Sequence, residues 1–135
     1  MKSNGITKVY IVGGTTAVST NVEAQLSKAE IKYQGRLWGE NAIDTCGQVV
    51  DFEKKAGMTA NNMGVATSND YYDALTGAAL CGKNNAVMIL ANDDNTTLID
   101  GFVNDNKADI ANGYVFGGAS AISDNVFRKL VEATG

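Results

Sequence analysis

Histidine is absent from all 135 residues. The commonest general base is therefore missing, and neither a Ser-His-Asp nor a Cys-His arrangement can form within the chain. Few groups remain that can hold a ligand. Gly13-Gly14, followed by Thr15-Thr16, and Gly117-Gly118, followed by Ala119-Ser120, stand ahead of helix-forming stretches. Free backbone N–H groups and the positive end of a helix dipole converge at such a place and attract anions. The competing reading is that both glycine pairs only turn the chain. Neither pair fits the dinucleotide fingerprint or the phosphate loop with its lysine.

Arg36 can make bidentate bonds to phosphate or carboxylate, or a structural ion pair with Asp44 or with a carboxylate of a neighbouring module. Asp70 and Asp73 suit the first turn of a helix, where carboxylates cap and complement the dipole; their spacing alone does not define a cation site. Tyr71 is a candidate for stacking on a sugar ring, Tyr72 shares a core stripe with Leu75 and Ala79, and Trp38 fits either core or rim. Cys46 and Cys81 read as buried thiols acting as small hydrophobes, and their spacing is not that of a zinc site. No catalytic residue, metal or cofactor is expected.

The elements that must position these groups are announced by an internal repeat. Tyr10–Val22 and Tyr114–Val126 carry one phrase, and a single 104-residue offset relates Gly13 to Gly117 and Leu26 to Leu130. Self-similarity held in register marks a chain built of tandem units. Each copy reads as a buried strand, a glycine turn and a capped amphipathic helix. Ser19 or Thr20 and Ser123 serve as N-caps, and Val18, Val22, Leu26 and Ala29 match Ile122, Val126, Leu130 and Ala133. Thr20 with Glu23 adds a capping box to the first copy.

Between the copies, apolar runs alternate with helical stretches. Strands are predicted at Tyr33–Trp38, Met63–Ala66 and Ala86–Leu90, and helices at Asn41–Ala56, Tyr71–Cys81 and Thr97–Asn106, with Gly57 a C-cap. This alternation predicts an α/β fold: a doubly wound, mostly parallel sheet of about five strands with helices on both faces. The apolar share of 44% supports one compact domain. A net charge of −4 argues against a nucleic-acid partner, and no run of 18 apolar residues can span a membrane. The opening Met-Lys-Ser-Asn-Gly has no apolar stretch of the signal-peptide kind, so a secreted parent would have lost its leader.

The order of phrases Arg36–Asn41, Asp44-Thr45, Val65–Thr67, Asp70–Leu75, Val87–Leu90 and Gly117–Ser123 resembles the type 2 cell-wall-binding repeat (CWB2) of Gram-positive surface proteins. That resemblance makes residues 32–135 one complete repeat and residues 1–31 the tail of a preceding repeat packed onto the same domain. Where the family has a second arginine and a tyrosine in its opening phrase, this chain has Ala42 and Ile43. The resemblance implies a noncatalytic module of a secreted or surface protein, with an anionic cell-wall polysaccharide or teichoic-acid-like polymer as partner. Ligand contacts would then come from Arg36, Gly13, Gly14, Thr15, Thr16, Gly117, Gly118, Ser120 and Tyr71. Family members carry three tandem repeats, so an isolated chain is expected to meet neighbouring repeats or to form a homotrimer. The alternatives are a small enzyme or nucleotide-binding domain, or a purely structural repeat.

Overall fold

The computed structural model describes residues 2–135. The chain divides into two compact units, residues 1–49 and 50–135. In the first, β1 (Lys8–Val12) and β2 (Lys32–Leu37) pair in parallel through the crossover helix α1 (Asn21–Lys28). Alternate residues of β1 point Val9 and Ile11 at α1, and the core closes as Ile11, Leu26 and Ile31 with Val9, Val18, Val22 and Tyr33 around them. Helix α2 (Ala42–Lys55) contains the division between the units. It buries Ile43 and Val50, and Gly57 ends it at a φ of +98°, with Gly57 N–H donating to Lys54 O and Met58 N–H to Glu53 O.

The second unit is a parallel three-stranded sheet in the order β4-β3-β5, from β3 (Thr59–Thr67), β4 (Ala86–Ala91) and β5 (Asn112–Phe116). Central β3 is buried on both faces, which is why it is a nearly continuous run of small and apolar residues from Met63 to Thr67. Helix α3 (Tyr72–Lys83) covers one face and α5 (Asp124–Thr134) the other. Glycines let α3 approach closely: a Cβ at Gly77 would stand 2.5 Å from the Phe116 ring, and one at Gly64 would stand 2.5 Å from Cys81 Sγ. On the opposite face α5 buries Val126, Leu130 and Ala133, and Ser123 caps it by accepting from Val126 N–H at 3.2 Å. Burial pushes the Glu53 carboxyl above its ordinary value. Burial, and then the Glu53 charge, does the same to the Cys81 thiol, so Cys81 is an inert apolar group.

Several expectations are corrected. The five parallel strands form a pair and a triple, not one sheet. β1 and β5 occupy the same place in the repeated phrase, and each builds its own pairing, β1 with β2 and β5 with β3. The Thr20–Glu23 capping box does not form, because Thr20 is already helical and makes no side-chain cap, while the Glu23 carboxylate is held by Arg36. The helical stretch ending at Asn106 contains a π-turn, Ile99–Val103, leading into the short α4 (Asn104–Asn106). Tyr72 and Leu75 lie on the exposed side of α3, since the buried side is set by Gly77 and Cys81. Cys46 is half-buried rather than buried.

Candidate glycine-turn site

The two glycine turns are conformational copies. Gly13 and Gly117 adopt φ of +112° and +110°, a region open to glycine at little cost. The carbonyl of Gly14 accepts from Ala17 N–H (3.1 Å) and Val18 N–H (2.9 Å), and that of Gly118 accepts from Ala121 N–H (2.9 Å) and Ile122 N–H (3.0 Å). Each turn is therefore a closed structure of its own, with Thr15 to Thr20 between Gly14 and the start of α1. As the sequence predicts, the glycine pair precedes the helix, and Thr20 stands at the N-cap position of α1. The exposed amides of Thr15 and Thr16 have no acceptor among the described residues.

The surroundings of the two turns differ. In the first unit, Gly13, Gly14, Thr15 and Thr16 line a cleft of about 500 Å³ whose other wall is Trp38, Gly39, Asn41 and Thr45, with Glu40 also lining it. Trp38 is 56% exposed, and its ring lies against Gly14, where a Cβ would come within 3.5 Å of Cε3. The wall is rigid because Asn41 caps α2. Asn41 Oδ1 accepts from Asp44 N–H at 2.9 Å, Asn41 Nδ2 donates to Asp44 Oδ2 at 2.8 Å, and Gly39 N–H donates to Thr45 Oγ1 at 3.0 Å. Gly39 has no room for a side chain, since a Cβ there would overlap Asp44.

Arg36 lies behind this cleft rather than in it. Its side chain is only 9% exposed, and its carboxylate partner is Glu23, not Asp44. Nε donates to Glu23 Oε1 at 2.8 Å, Nη2 lies 2.8 Å from the same oxygen without a properly directed hydrogen bond, and Nη1 donates to Gly13 O at 2.9 Å. Arg36 thus fastens the glycine turn to β2 and α1 from inside.

In the second unit Gly117 faces a carboxylate, because a Cβ there would stand 2.6 Å from Asp73 Oδ2. The Asp73 carboxylate therefore borders the Gly117-Gly118 turn, a feature the first copy's turn does not share, and Ser120 is exposed beside it. Asp70 plays the capping role, its Oδ1 accepting from Tyr72 N–H at 3.2 Å. Tyr71 is exposed and tilts against Tyr72, ring centroids 4.4 Å apart. Among the described residues no cluster of three acidic or thiol groups could hold a metal ion.

Sequence reasoning thus found the glycines and threonines of the cleft but missed Gly39, Asn41 and Thr45. The signal for them was present in Asn41 followed three residues later by Asp44, the mark of a helix start.

Residues 36–127 match the family model for cell wall binding domain 2 (CWB2). The chain belongs to this family. The CWB2 chain is 31% identical over 126 residues, 93% of its length, to the N-acetylmuramoyl-L-alanine amidase LytC of Bacillus subtilis (strain 168), of which it covers 24%. It superposes on Cwp8 from Clostridium difficile with a TM-score of 0.67 at 25% identity, covering 96% of this chain and 21% of that one. Cwp6 from the same organism gives a TM-score of 0.78 at 21% identity over 94% of this chain and 20% of its own, a likeness of fold. The CWB2 chain therefore spans about a quarter or less of these relatives. It is a cell-wall-binding module. Among the described residues no helix is long and apolar enough to cross a membrane.

Proposed function

We propose that this module attaches a secreted protein, without catalysis, to an anionic wall glycopolymer such as a teichoic-acid-like chain, through the cleft between the Gly13–Thr16 turn and Trp38. The observation that carries the reading is the cleft's make-up. An exposed indole offers a flat face to a sugar ring, while hydroxyls of Thr15 and Thr16 and two unused amides offer directional bonds to hydroxyl or phosphate oxygens. Arg36 serves the site by holding Gly13 O, and the Gly117 turn and Tyr71 stand outside the main contact. Residues 1–31 then act as the tail of a preceding repeat, supplying the glycine turn, while residues 32–135 form one complete repeat that supplies Trp38.

A chain of net charge −4 repels a polyanion at long range, so retention should rise with moderate salt as that repulsion is screened. The test is sedimentation with purified peptidoglycan before and after its attached polymers are stripped. Retention only before stripping is expected, with Trp38→Ala weakening it about tenfold, equivalent to about 1.4 kcal/mol. Equal retention after stripping overturns the polymer reading. No retention at all favours a purely structural repeat.

The same reading predicts self-association. Tyr71, Tyr72 and Leu75 leave an apolar face on α3 exposed, and a repeat that works beside others is expected to close on itself as a homotrimer through one heterologous contact repeated around a ring. Light scattering across a concentration series checks this. A constant mass of one chain at high concentration counts against it.

A further inference from the structure

The 104-residue offset carries β1, Lys8–Val12, onto β5, Asn112–Phe116, end to end. The turns that follow share φ angles and hydrogen bonds, so the two copies are one structure up to that point. Their neighbours differ. β1 is paired along its length with parallel β2, whereas β5 is the edge of its sheet, paired with β3 alone.

In the first unit Ile31 and Tyr33, where the chain enters β2, pack around Val9, Ile11 and Leu26. The offset turns these last three into Gly113, Val115 and Leu130, and puts Gly135 where Ile31 stands. Gly113, Val115 and Leu130 line an open groove of about 280 Å³, with Phe127 and Val131 half exposed along it. An apolar groove beside an unpaired parallel edge is what remains of the first copy when β2 is taken away.

We infer that the β5 edge and this groove receive a parallel β-strand with the side-chain pattern of Ile31–Leu37, supplied by a following copy of the same repeat. Consecutive repeats then share a sheet instead of meeting as closed domains. The register is given by the first copy. Lys32 N–H donates to Thr7 O at 2.8 Å and Gly13 N–H to Leu37 O at 2.9 Å, so Gly117 N–H is the waiting partner, while Ala111 N–H already donates to Asn61 O of β3 at 2.9 Å. The incoming strand needs an aromatic residue at the Tyr33 position, because Gly113 and Gly135 leave the groove wider than its counterpart. The arginine position would meet Gly117 O as Arg36 meets Gly13 O. It would find Phe127 in place of Glu23, exchanging an ion pair for a cation over a ring. This inference does not depend on which polymer the cleft binds.

The test appends a second copy of residues 32–49 directly after Gly135 of the full chain and follows amide exchange by NMR. The expected result is that Gly117 and alternate amides of β5 exchange at least about tenfold more slowly than in the unextended chain, with a raised melting temperature. The same extension carrying Tyr33→Asp should lose most of that protection. Unchanged exchange across residues 112–117 in the extended chain overturns the shared sheet. Equal protection by the Tyr33→Asp extension overturns recognition by the groove.

Discussion

Arg36→Ala is expected to destabilise residues 1–49 by about 3 kcal/mol, the low end for breaking a buried ion pair. The low end applies because Glu23 is 31% exposed and keeps some hydration when its partner is removed. The arginine is nine-tenths buried, ties α1 to β2 through Glu23, and satisfies the Gly13 carbonyl, so one substitution removes two restraints on a small core. Trp38 is the single tryptophan of the chain and lies in the same unit, so its fluorescence reports this unfolding without a label. A lowered Trp38 midpoint is expected, with exchange in β3 and β4 little changed. Arg36→Lys should recover only part of the loss, since one ammonium cannot reach both Glu23 and Gly13 as the guanidinium does. An unchanged midpoint together with lost wall retention would move Arg36 from a positioning role to a direct ligand contact.

That distinction marks where the sequence could be read and where it could not. Helix α5 is legible because its apolar residues recur at helical spacing, whereas β5, read as a buried strand, is a largely exposed edge strand. Val126, Leu130 and Ala133 are buried as their positions require. Parallel pairing follows from strand and helix alternating, but the pairing partners do not. Nothing in β2 by itself says that it joins β1 rather than β3. The duplicated phrase looked like one domain with an appended end, and it is two separate pairings. On α3 the usual logic inverts. The large residues Tyr72 and Leu75 sit at core spacing yet face outward, because the sheet-facing side needed glycine at position 77 to admit Phe116. Arg36 was picked out for its chemistry, and that chemistry is used internally. Its partner Glu23 had a convincing local role as a capping residue that tertiary contact overrode.

The same duplication makes Gly117→Ala the second large effect, with Gly13→Ala as its built-in control. Both glycines hold φ near +110°, so alanine at either carries a backbone penalty of about 1.5 kcal/mol. Around Gly13 the added methyl finds room, its nearest neighbours being Ala17 Cβ at 3.4 Å and Val18 Cγ2 at 3.8 Å. Around Gly117 it meets Asp73 Oδ2 at 2.6 Å and Ala121 Cβ at 2.8 Å. The carboxylate can swing away, but Ala121 is fixed by its N–H bond to Gly118 O, so the backbone of the turn must move. Overpacking of this kind adds about 1–3 kcal/mol, which brings Gly117→Ala to roughly 3 kcal/mol or more, against about 1.5 kcal/mol for Gly13→Ala. Urea melts of the two variants, followed by Trp38 fluorescence for Gly13 and by exchange at β5 for Gly117, measure the difference. Adding Asp73→Ala to Gly117→Ala should return only the part due to the carboxylate. Equal losses at the two glycines would mean that the turn relaxes around Ala121, and that the two copies tolerate change alike despite their different neighbours.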